Sequence, residues 1–233
     1  MASIKDAVEE SITDDYSFIK YILYAIPVFI CYLLFTKGNM GWFYFLGFIT
    51  LLMLITILIQ CIYNVRNGAN HVLPTFNIFT FCFSAFKAIF AVGPLLGLSL
   101  WLGSLIVSIK IPIPIPNMQL IYAIIVWLII GSIVVTSLIL YAKTQKIKDA
   151  YDFALISNTC IDILVAIIFF IPQLLLVNGI IVGIIAYLFG VFFTLENPVF
   201  IFLCCMALAI NVAITGNYFA QIDYELVPRN ENN

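Results

Sequence analysis

Few side chains in this 233-residue chain could do acid–base, nucleophilic or metal chemistry. His71 is the single histidine, and it lies in the polar run Gly68 Ala69 Asn70 His71. A solvated loop residue is the simplest reading there, because one imidazole without nearby cysteines or paired carboxylates cannot build a zinc site. The six cysteines, Cys31, Cys61, Cys82, Cys160, Cys204 and Cys205, all sit in apolar runs and form no CxxC pair. They read as small packing hydrophobes rather than as metal ligands or a disulfide framework. No GxSxG, HExxH, Walker-type or dinucleotide-binding glycine pattern occurs, so neither enzymatic activity nor a cofactor is expected.

Ionisable residues in apolar surroundings are functional candidates by default. Lys87 and Asp162 are the two to weigh, with Glu196 in the turn Leu195 Glu196 Asn197 Pro198 reading as an external loop charge. Lys87 suits an anchor at the mouth of a helix, its ammonium reaching the headgroups. Asp162 suits a helix entry, where a carboxylate caps unpaired N–H groups. The sharper alternative is an ion pair between Lys87 and Asp162. Among uncharged mid-span residues, Gln60, Thr136, Gln173 and Asn211 are the candidates for interhelical hydrogen bonds or for a polar pathway. Gln173 and Asn211 would cost most if left unpaired in lipid.

The elements that position these residues follow from composition. Hydrophobic residues make up 64% and charged residues 9% of the chain, and mean hydropathy is +1.14. Those values exclude a soluble domain and specify an all-α, polytopic integral membrane protein. A net charge of -2 with scattered basic residues offers no stripe for a nucleic-acid backbone. Since about 20 apolar residues cross the hydrocarbon core, six spans are expected, near 18–36, 41–63, 87–109, 119–142, 164–194 and 197–220. The fifth is expected to bend at Pro172, and Pro198 suits the first turn of the sixth. A rival arrangement splits the long fifth segment at Asn178 and Gly179 into two helices, giving seven spans.

Punctuation repeats along the chain. An offset of 78 residues carries Tyr63, Cys82 and Pro94 onto Tyr141, Cys160 and Pro172, and an offset of 67 carries Ser17, Lys20 and Pro27 onto Ser84, Lys87 and Pro94. Three helix-pair repeats are expected, at 17–63, 84–141 and 162–218, within a single transmembrane domain spanning 17–220. Six spans place Lys5, Lys20, Arg66, Lys87, Lys143, Lys146, Lys148 and Arg229 on one side, against Lys37 and Lys110 on the other. That bias predicts cytoplasmic termini and a place in the cell membrane. The acidic segment 1–16 has no basic signal-peptide region. It reads either as an amphipathic helix on the membrane surface, with Ser3 and Asp6 as a capping pair, or as a frayed acidic tail. Residues 221–233 read as a polar cytoplasmic tail. The run 111–116, IPIPIP, reads as a stiff external strap of polyproline type, and the polar segments before Phe79 and Phe153 read as interfacial amphipathic lead-ins.

The order of Tyr63 Asn64 Val65 Arg66 Asn67 Gly68, then Val72 Leu73 Pro74 Thr75 Phe76, a phenylalanine-rich stretch through Phe86 and Lys87, and a closing Gly216 Asn217 Tyr218 resembles a family of prokaryotic integral-membrane proteins. That family is catalogued as a domain of unknown function, number four thousand and thirteen, and is common in methanogenic archaea. The resemblance covers about Lys20 to Tyr218. Thr75 and Asn77 stand where the family has an acidic loop. What the resemblance implies is a multi-pass prokaryotic membrane protein, with no catalytic residue to carry over.

Function is thereby bounded rather than named. The chain reads as a membrane scaffold or interaction partner whose surroundings are the lipid bilayer and either a membrane protein or further copies of itself. The alternative is a small transporter or channel-like protein for a neutral or lipophilic solute.

Overall fold

The computed structural model describes residues 3–109, 118–192 and 197–226. Seven α-helices follow one another: α1 (Ile4–Thr13), α2 (Ser17–Thr36), α3 (Met40–Arg66), α4 (Ile78–Ser108), α5 (Met118–Thr144), α6 (Phe153–Phe192) and α7 (Pro198–Leu226), with a short 3-10 helix, Ile147–Tyr151, between α5 and α6. No strand occurs among the described residues. Six of the helices, α2 to α7, are long and apolar enough to cross a bilayer. The chain is a polytopic all-α membrane protein, and its exposed Phe, Ile, Leu and Trp side chains are its contact with lipid.

The helix boundaries have local causes. Ser3 Oγ accepts from Asp6 N at 3.4 Å, closing the first turn of α1 as its spacing predicts. Gly38 and Gly68 take φ of 69° and 63° just past the ends of α2 and α3, where a left-handed residue lets the chain leave the helix without a Cβ clash. Pro198 opens α7, and Asn197 Oδ1 accepts from Val199 N at 2.9 Å.

Of the two readings of the long fifth segment, the split into two helices is overturned. The stretch from Phe153 is one 40-residue helix, roughly 60 Å at 1.5 Å per residue, and it runs unbroken through Asn178 and Gly179. The polar lead-in before α4 is a non-helical loop, residues 69–77, and the one before α6 holds the separate 3-10 helix Ile147–Tyr151. Helices α4 and α6 begin at Ile78 and Phe153 and continue directly into the spans. Pro27, Pro94 and Pro172 are all inside helices. The 111–116 strap, Lys110, Glu196 and Arg229 lie outside the described residues.

The chain forms two compact units: Met1–Phe86 with Phe170–Asn233, and Lys87–Phe169. In the first, α3 packs on α7, α2 on both, and α1 on α2 and α7. Its core gathers Tyr21, Tyr24, Met53, Ile57, Cys61, Leu73, Phe81, Ala209 and Ala213. Close helix approach rests on small residues of α7. A Cβ on Gly216 would meet Leu58 O at 2.8 Å and Cys61 Cβ at 2.9 Å. In the second unit, Ser137 Oγ donates to Ala150 O at 2.7 Å, tying the 3-10 helix to α5, while Gln119 Nε2 donates to Val107 O at 2.8 Å.

Candidate functional site

The most polar part of the first unit is one end of its bundle, where α1, the start of α2, the 67–77 loop and the last turns of α7 meet. It is built around Asp14. That residue follows α1, and Tyr16 then takes a φ of 57°, so the chain turns sharply before α2 starts at Ser17. The turn is fixed by Ser17 N, which donates to Asp14 O at 2.9 Å, and by Ser17 Oγ, which donates to Ile12 O at 2.5 Å.

The turn aims the Asp14 carboxylate, whose side chain is 2% exposed, at the 67–77 loop. Lys20 Nζ lies 2.8 Å from Asp14 Oδ2. Val72 N and Leu73 N donate to the two carboxylate oxygens at 3.3 and 3.1 Å, and His71 Nδ1 stands 3.4 Å from Oδ1. The loop carbonyls are taken in succession. Asn64 Nδ2 donates to Val72 O at 3.1 Å, Lys20 Nζ to Leu73 O at 3.1 Å, and the Tyr24 hydroxyl to Pro74 O. Non-helical backbone is costly at the end of an apolar bundle unless its polar groups are satisfied. Here buried side chains satisfy residues 72 to 74, and Leu73, 1% exposed, is locked into the core.

A second polar cluster ties the N-terminus to α7. Asn217, fully buried, donates through Nδ2 to Glu10 Oε2 at 2.9 Å and to Ala7 O at 3.4 Å. Gln221 accepts from Ser3 N at 3.0 Å. The segment is therefore not a frayed tail. It is a helix with Ala7 and Ser11 fully buried, docked on α7 because Asn217 offers its amide where only small side chains approach.

Beside the Asp14 cluster, α3, the loop and the first turn of α4 line an open cavity of about 420 Å³. Thr56, Gln60, Asn64, Asn70, His71, Thr75 and Thr80 supply its polar lining, over Leu73, Pro74 and Phe81. Thr56 Oγ1 donates to Phe81 O at 2.7 Å, and Gln60 Nε2 to Ser84 Oγ at 3.3 Å. This volume falls in the range of small-molecule pockets, which combine an apolar floor with a few placed polar groups.

The residues singled out from sequence separate. Gln60 lines this cavity. Asn211 exchanges amide hydrogen bonds with Asn178, whose Nδ2 donates to Asn211 Oδ1 at 2.9 Å, so α6 and α7 are joined within the apolar span. Thr136 is fully buried and bonds its own helix, Oγ1 to Ser132 O at 2.7 Å. Gln173 is exposed on α6. Lys87 and Asp162 are both exposed and form no ion pair among the described residues. Asp162 is not at a helix entry either, because α6 begins at Phe153 and is capped by Asp152, whose Oδ1 accepts from Leu155 N at 3.1 Å. The buried ionic contact of the first unit is instead Asp14–Lys20, which sequence reasoning passed over as part of an acidic tail. Comparison with protein-family models, with curated proteins and with solved structures finds no match for this chain.

Proposed function

We propose that this protein is a multi-pass membrane scaffold, an interaction partner for another membrane protein or for a second copy of itself, with both ends in the cytoplasm. The observation that carries the reading is that four hydroxyl groups within the spans are spent on the chain's own backbone. Thr50 bonds Leu46 O, Thr56 Phe81 O, Ser132 Ile129 O and Ser137 Ala150 O. A pathway for a solute needs such groups turned into a shared lumen, whereas here they serve packing. The outward features of α6 fit a partner. Gln173 is an exposed amide in an apolar span, and beyond Gly179 and Gly183, four residues apart, lies open space, which is the kind of surface on which a second helix can approach closely.

The transport reading keeps one supporting observation. Asn211 borders a cavity of about 260 Å³ formed by Leu54, Ile55, Leu58, Val212 and Thr215. Flux across vesicles containing the purified protein separates the two. The scaffold reading expects no passage of neutral solutes above that of empty vesicles. Saturable flux lost in Asn211→Leu would replace it with the transport reading.

A further inference from the structure

The cavity beside the 67–77 loop has a lining suited to one class of ligand. We infer that it binds a neutral, polyhydroxylated group, either the headgroup of a glycolipid or a free sugar-like solute. The side chains of Asn70, Thr75 and Thr80 line it and make no hydrogen bond within the described residues, so donors and acceptors stand ready for hydroxyls. No Asp, Glu, Lys or Arg contributes to its lining. The neighbouring charges, Asp14 and Lys20, are 2% and 12% exposed and neutralise each other at 2.8 Å, and His71, the ionisable side chain in the lining, stands 3.4 Å from Asp14 Oδ1. A charged headgroup would therefore enter without a counter-ion and lose its hydration uncompensated, whereas a polyol exchanges water for amides and hydroxyls. Phe83, 76% exposed one turn along α4 from Thr80, gives an attached acyl chain a surface to follow, which favours the lipid as source.

The test uses the full-length protein, purified in a detergent without a sugar headgroup and placed in phosphatidylcholine nanodiscs. Binding of glucosyl diacylglycerol, of free maltose and of phosphatidylglycerol is measured by native mass spectrometry and titration calorimetry. Glycolipid binding that free maltose does not match would identify the lipid source, and equal binding of maltose the solute source. Either supports the proposal if affinity falls at least about tenfold in Asn70→Leu/Thr75→Val, which removes two hydrogen-bonding groups from exposed loop positions. Ala69→Trp, which fills the cavity from the loop, should abolish binding with an unchanged unfolding midpoint. Should Ala69→Trp not fold, the double variant decides alone. Failure of both probes to bind, unchanged affinity in the double variant, or tighter binding of phosphatidylglycerol would overturn the proposal.

Discussion

Asp14 holds together three stretches of chain that lie far apart in sequence, and the energetics of its removal follow from its burial. Replacing it by Asn leaves Lys20 with a desolvated charge and weakens the anchoring of Val72 and Leu73. Breaking a buried pair from one side costs about 3 kcal/mol or more. Asp14→Asn should therefore lower the unfolding midpoint in detergent markedly, while Asp14→Asn/Lys20→Met should be less destabilised than the sum of the single changes. Additive losses would show that the two side chains act independently. This cluster was illegible in the sequence for a definite reason. The spacing from Asp14 to Lys20 fits no face of a continuous helix, and only the left-handed turn at Tyr16 brings them together. The partners in the loop, more than 50 residues away, carry no local signature. Asn211, by contrast, was legible, because an amide within an apolar run must find a partner, although the identity of that partner, Asn178, was not.

At the scale of elements, α7 supplies the contact surface for α1, α2 and α3. Gly216 is where α3 comes closest, so Gly216→Ala forces a Cβ against Leu58 O and Cys61 Cβ and should cost about 1 to 3 kcal/mol through helix displacement. A neutral effect on the unfolding midpoint would mean that α3 and α7 are not packed this tightly. The α6–α7 contact at Asn178 and Asn211 is expected to be weaker. Asn178→Leu or Asn211→Leu should cost about 1 kcal/mol, and changing both together should cost little more than changing one, since no orphaned amide remains. Four spans, α2, α3, α5 and α7, were readable from apolar length alone, whereas the stretches holding α4 and α6 were too long for one plain span and were read through the repeat. The continuity of α6 through Asn178 and Gly179 was less readable, because a glycine or proline in a membrane helix is tolerated when neighbouring groups compensate. The docking of α1 was hidden because its buried positions, Ala7 and Ser11, are small and carry no hydrophobic signal.

At the scale of the molecule, six crossings return the chain to the side on which it began, and α1 meets the closing turns of α7 through Asn217 and Gln221. Protease-cleavable tags at the two termini should therefore be cut from the same face of sealed inverted vesicles. Cleavage of one tag but not the other would require an odd number of spans. On the function proposed above, the basic bias of the sequence puts that face in the cytoplasm, whereas the partner that would make a scaffold of this protein is written in no residue pattern. The direct measurement is native mass spectrometry of the protein extracted from its own membrane, comparing wild type with Gln173→Leu/Gly179→Leu/Gly183→Leu. The expected result is a stoichiometric complex, with a second copy or another membrane protein, that is lost in the variant while the unfolding midpoint of the chain is kept. A wild-type protein that emerges alone, and whose vesicles pass a neutral solute, would contradict the scaffold reading.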